Sequence, residues 1–174
     1  MQTRVQDRRH ESTDGSVSSD SERDYVVVQT GTRQYHTEIW ARGHAFVSDE
    51  PEVKGGANEG PTPYDLLLAS LGSCTSITLR MYADRKGWPL ERIDVRLWHD
   101  RVHAEDCDEC EEETGWIDRI YRDLEVAGDL TDQQRQRLLY IADRCPVHKA
   151  LRGPIVVKTR LKGLAPTGPD PCRD

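Results

Sequence analysis

The stretch from Thr62-Pro63-Tyr64-Asp65 to Gly87-Trp88-Pro89 constrains this chain most, because it carries its own start and stop. Thr62 fits a helix N-cap and Pro63 the first helical position. Asp65 stands where its carboxylate reaches back to the cap. Gly87 suits the left-handed residue that ends a helix, and Pro89 cannot continue one. The interval predicts a helix over 63–86, roughly 35 Å long at 1.5 Å per residue. Such a helix is a central element in a small domain. Leu67, Leu71, Cys74 and Thr78 are spaced to share one face. Ala69, Gly72, Ser73 and Ser76 form a second stripe, small enough for another helix to approach closely.

Around that helix the pattern alternates. Tyr25 to Thr30, Tyr35 to Ala41 and Ala45 to Ser48 read as strands, and Lys54 to Pro63 as a Gly- and Pro-rich loop. Ile93, Val95 and Leu97 alternate with Asp94 and Arg96, and Ile120, Leu124 and Val126 fit a partner strand. Thr131-Asp132-Gln133-Gln134 is a second capping box, opening a helix to about Arg144. Pro146 to Leu151 suits a short helix and Ile155 to Leu161 a closing strand. The order β-β-β-α-β-β-α-α-β groups strands and helices, which indicates α+β rather than a doubly wound fold. Residues 1–23 are rich in Arg, Asp, Glu, Ser and Gln without an aromatic, and 166–174 carry three prolines. Both read as flexible tails around a domain over 24–165.

Among the 174 residues, 24 are Lys or Arg and 31 are Asp or Glu, a formal net charge of −7. That balance argues against a nucleic-acid partner, which needs a basic face, and against an anionic membrane surface. The longest apolar run, Leu138 to Ala142, is far short of the roughly 20 residues of a membrane span. The first 30 residues hold no secretory h-region, so the expected location is the cytoplasm.

Five cysteines remain: Cys74, Cys107, Cys110, Cys145 and Cys172. An odd number in a chain expected to stay in a reducing compartment does not suggest a disulfide framework. Cys74, inside the long helix, reads as a small buried hydrophobe unless a cation holds its thiolate. Cys145 precedes Pro146 at the start of the short helix, where an anion is favoured. A pair of thiols supports peroxide reduction: one attacks the O–O bond and becomes a sulfenic acid, and a second condenses with it. That chemistry needs a nearby cation and neither a metal nor an organic cofactor. His99, His103, Cys107 and Cys110 form a second constellation with zinc-compatible ligand types in acidic surroundings, though in no common zinc-finger order. The alternative there is a solvated acidic hairpin. Cys172 reads as an exposed bystander.

Two motifs make the chain resemble a known family. One comprises Ser48-Asp49-Glu50-Pro51, Gly55-Gly56 and the run from Gly60-Pro61-Thr62-Pro63-Tyr64-Asp65 through Leu71-Gly72-Ser73-Cys74. The other is Ala142-Asp143-Arg144-Cys145-Pro146-Val147-His148. Together they resemble the OsmC/Ohr family over about Asp24 to Leu161, closer to the OsmC-like branch than to the organic hydroperoxide resistance branch. The resemblance implies an OsmC-like fold, an intertwined homodimer, and a thiol-dependent peroxidase acting on organic or inorganic hydroperoxides and reset by a dithiol. It places Cys74 as the peroxidatic and Cys145 as the resolving cysteine. The thiolate-stabilising Arg of the family matches Arg33 best and Arg42 second. Its orienting Glu follows the proline in the organic hydroperoxide resistance branch, where this chain has Tyr64. Asp65, one position on, is the replacement candidate and equally a capping-box residue. Two rival expectations stand beside this one: a non-enzymatic redox sensor or hydrophobic-ligand binder, and a zinc-stabilised binding protein.

Overall fold

A computed structural model describes residues 25–103 and 115–161 of the chain. Its contacts divide the chain at Pro61 and Thr62 into two compact units. The first is an antiparallel meander of β1 (Val26–Thr30), β2 (Thr37–Ala41) and β3 (His44–Ser48), in the order β1-β2-β3. Val28 pairs with Ile39, and Ile39 with Phe46. Arg42 and Gly43 make the two-residue β2–β3 turn with φ of 50° and 85°, the doubly positive geometry that matches the twist of a tight hairpin.

The second unit holds α1 (Pro63–Lys86), β4 (Leu90–His103), β5 (Trp116–Gly128), α2 (Asp132–Ala142) and α3 (Pro146–Arg152). The expected boundaries of α1 hold. Thr62 and Asp65 close the capping box reciprocally, and Gly87 ends the helix at φ 63°, a conformation that costs glycine nothing. The Thr131 and Gln134 box opens α2 in the same way. β4 and β5 form a long antiparallel ribbon on which α1 packs. Leu79, Tyr82, Ala83, Leu90, Leu130, Leu138, Ile141 and Ala142 form the buried core, with Trp88, Ile93, Leu124 and Val126 against it. Leu79 and Leu138 are fully buried, each stabilising the fold by about 2 kcal/mol relative to an exposed side chain.

Three expectations are corrected. The buried face of α1 is Leu71, Thr75, Leu79 and Tyr82, turned by about one residue from Leu67, Cys74 and Thr78. The ribbon covers the Thr75 side of the helix, which leaves Leu67 exposed and Cys74 half-buried. Gly72 receives a strand rather than a helix: a Cβ there would stand 2.8 Å from Leu97 Cδ1 on β4. Ile155 to Leu161 is exposed and forms no strand. Alternation supplies the side-chain pattern, but a strand also needs a neighbouring edge to take its N–H and C=O groups. Ile155 to Leu161 pairs with none of the described strands.

Candidate functional site

The first unit organises a carboxylate cluster after β3. Asp49 is 2% exposed. Its Oδ1 accepts from the Glu50 N–H at 2.8 Å, and its Oδ2 from Ala57 and Glu59 N–H at 3.0 and 3.2 Å. Burial raises its pKa, but these backbone donors outweigh it and hold the carboxyl below its ordinary value. The loop is wrapped tightly enough that a Cβ at Gly56 would lie 1.8 Å from the Glu50 carbonyl oxygen. Glu59, delivered by this loop, forms an ion pair with Arg33 and bonds His36 Nδ1 at 2.6 Å. Arg33 itself is 66% exposed. Arg42 lies in the β2–β3 turn.

The second unit organises a thiol cluster. Cys145 is wholly buried and is the N-cap of α3, its Sγ accepting from the His148 N–H at 3.3 Å. Its Sγ also lies 3.7 Å from Thr75 Oγ1. Thr75 is the neighbour of Cys74 on α1, so the helix carries one candidate cysteine and touches the other. The Thr75 hydroxyl donates to the Leu71 carbonyl at 2.8 Å and accepts from Arg122 Nη1 at 3.0 Å. Arg122, with a side chain only 12% exposed, reaches in from β5. The same Nη1 donates to the Ala142 carbonyl at 3.2 Å, and Nη2 to Asp143 Oδ1 at 2.7 Å. His148 Nδ1 stands 3.9 Å from that carboxylate. Burial first, and then the Arg122 charge, lower the His148 pKa, against an opposing pull from Asp143. Cys74 and Cys145 are both free thiols.

Asp65 lies at the start of α1, where its Oδ2 accepts from Thr62 N at 2.9 Å and Thr62 Oγ1 at 2.7 Å. These are the bonds of the helix cap. His99 bonds Asp118 at 2.9 Å and stacks on Tyr64. His103 packs edge-on to Trp116. Both lie on β4, and four residues of extended strand separate them by about 13 Å. One ion cannot bridge them there. Cys107, Cys110 and Cys172 fall outside the described residues. Among the described residues no cluster of three or more His, Cys, Asp or Glu side chains is arranged to hold a metal ion. None of the described helices is long and apolar enough to cross a membrane.

Three residues of these clusters do not stand out in the sequence reading. Glu59 sits in a loop notable mainly for its glycines. Thr75 is masked by the cysteine beside it. Arg122 did carry a signal: it falls at the same strand parity as Ile120, Leu124 and Val126, and so on their face. A cation on the apolar face of a strand must find partners inside.

The family model described as OsmC-like protein matches residues 56–160. No curated protein matches the chain. Among solved structures, an OsmC-like protein from Mycoplasma pneumoniae is similar at 16% identity and a TM-score of 0.60, over 76% of this chain and 89% of that one. An organic hydroperoxide resistance protein from Legionella pneumophila is similar at 19% identity and a TM-score of 0.55, over 78% and 93%. Another organic hydroperoxide resistance protein, from Elizabethkingia anophelis, is similar at 20% identity and a TM-score of 0.53, over 74% and 86%. These likenesses show an α+β fold of the OsmC-like type. With a family match spanning more than half of its length, the chain belongs to the OsmC family.

Proposed function

We propose that this protein is a thiol-dependent peroxidase that reduces hydroperoxides through Cys74 and Cys145. The observation that carries the reading is the thiol cluster. The buried Cys145 sulfur contacts Thr75, the residue next to the half-buried Cys74, with Arg122 bonded to the same hydroxyl. The names of the Legionella and Elizabethkingia neighbours support the substrate class.

In this reading the Cys74 thiolate attacks the terminal peroxide oxygen. An S–O bond forms, the O–O bond breaks, and the alcohol, or water from hydrogen peroxide, leaves with a proton. Cys145 then attacks the Cys74 sulfur, and the sulfenic hydroxyl departs as water with the thiol proton. A cellular dithiol returns two electrons through a mixed disulfide. Arg33 remains the thiolate-stabilising cation of the proposal. Glu59, which holds Arg33 through an ion pair, takes the orienting role in place of Asp65. The working form is a homodimer.

The test is consumption of cumene hydroperoxide and hydrogen peroxide with a dithiol reductant. Turnover is expected in the wild type and absent in Cys74→Ser. Cys145→Ser should complete one reduction and then stall or overoxidise. Wild-type protein that oxidises stoichiometrically without turnover would overturn the reading in favour of a redox sensor.

A further inference from the structure

A hydroxyl has one hydrogen to give and two lone pairs to receive. The Thr75 hydroxyl gives its hydrogen to the Leu71 carbonyl, and one lone pair takes the Arg122 Nη1–H. The sulfur of Cys145, 3.7 Å away, therefore meets the remaining lone pair, and the thiol hydrogen points at Thr75. The sulfur's other polar partner is a donor, the His148 N–H at 3.3 Å. This suits a neutral thiol and also defines what happens when the proton leaves. A buried thiolate needs a second donor. The Leu71 carbonyl faces Thr75 within a regular helix, where the backbone bond from four residues on already serves it. The Thr75 hydrogen is thus free to turn from Leu71 to the sulfur.

We infer that Thr75, anchored and polarised by Arg122, is a hydrogen-bond switch for the Cys145 thiol. It accepts from the protonated form and donates to the thiolate that attacks Cys74. The inference rests on Cys145 being the resolving thiol of the reaction proposed above. Thr75 touches the reacting sulfur, whereas Arg122 acts through Thr75 and is a positioning residue. Nη1 spends its second hydrogen on the Ala142 carbonyl, and Nη2 is committed to Asp143. The guanidinium is therefore fixed before and after the proton leaves. The charged groups acting on His148, whose N–H donates to the sulfur, are Arg122 from β5, Asp143 after α2 and Arg152 from α3; Arg144 precedes Cys145 in the chain, and Cys74 precedes Thr75 on α1. Replacing Thr75 removes none of these charges, and Arg122 keeps its bonds to Ala142 and Asp143.

The experiment is a pH titration of the Cys145 Cβ resonance in full-length Cys74→Ser protein carrying ¹³C-labelled cysteine. The resonance is assigned by its loss on Cys145→Ser. This reads protonation without requiring a buried sulfur to meet a reagent. Thr75→Val keeps the shape and removes both functions of the hydroxyl. Its Cys145 midpoint should lie about one pH unit higher, a tenfold change in thiolate fraction. Thr75→Ser should restore the wild-type midpoint. If Thr75→Val does not fold, Thr75→Ala makes the same comparison. An unchanged midpoint in the folded variant, or a serine variant that fails to restore it, overturns the switch. Failure of the resolving role would appear elsewhere, as a Cys145→Ser enzyme that cycles normally with a dithiol.

Discussion

Two arginines stand in the two candidate clusters, and they are held in opposite ways. Arg33 is exposed and meets one carboxylate, Glu59, which it shares with His36. Arg122 is almost buried and has both terminal nitrogens engaged: Nη1 with Thr75 and the Ala142 carbonyl, Nη2 with Asp143. An exposed ion pair is held weakly, because water competes for both partners. A buried guanidinium is a fixture, because losing it leaves several buried groups without a donor. Arg33 thus suits a role that requires movement toward a changing charge, and Arg122 a role that requires constancy.

That contrast can be broken from several sides. The largest effect should come from packing. Leu79→Ala removes a fully buried side chain from the centre of the second unit and should cost about 3 kcal/mol, read from the urea midpoint. Gly56→Ala tests the first unit on a similar scale, because its Cβ would sit inside the Glu50 carbonyl. It should cost on the order of 3 kcal/mol and release the backbone donors around Asp49. Arg122→Ala should cost about 2 kcal/mol in the same assay. Arg33→Ala should cost under about 0.5 kcal/mol, yet slow peroxide turnover severely. If Arg33→Ala unfolds the protein, or Arg122→Ala leaves stability untouched, the assignment of one as mobile and the other as fixed is wrong.

Acid sharpens the comparison further and should give the smallest effects. Folding lowers the His148 pKa from its ordinary 6.5. The unfolded chain therefore binds a proton there more readily than the folded one. The stabilisation is complete above pH 6.5 and declines as pH falls through 6.5 toward the folded value. Asp49 is also lowered, from 3.8. Its contribution is complete above that value and is lost only as pH falls through the folded pKa. Unfolding followed by tryptophan fluorescence should show the first decline, and His148→Gln should flatten it. The Asp49→Asn variant should flatten only the second, more acidic one.

How much of this was legible in the sequence differs between the clusters for a physical reason. Helix ends are local events, so Thr62, Asp65, Gly87, Thr131 and Gln134 announced α1 and α2 correctly. Cys74 and Cys145 were legible through the two motifs around them. The face of α1 was not: periodicity gives the spacing of buried positions but not the direction from which the ribbon arrives. Strands Ile93 to Leu97 and Ile120 to Val126 were visible as alternation, but their full length, Leu90–His103 and Trp116–Gly128, extends into polar pairs such as Asp100 with Arg119. Ile155 to Leu161 shows the converse, an alternating pattern that pairs with none of the described strands. Glu59 became visible only with the chain folded, and the strand position of Arg122 hinted at burial without naming its partners, because each acts on residues twenty or more positions away.

The complete burial of Cys145 has one more consequence. A sulfur without solvent contact is reachable only from within the protein, while the half-buried Cys74 is open to small molecules. Order of modification is then built into the architecture. Between these two thiols, an oxidant or alkylator should modify Cys74 before Cys145. In the proposed reaction, that burial keeps the inner sulfur in reserve for a single internal encounter, insulated from the reactive compounds that the outer one must sample.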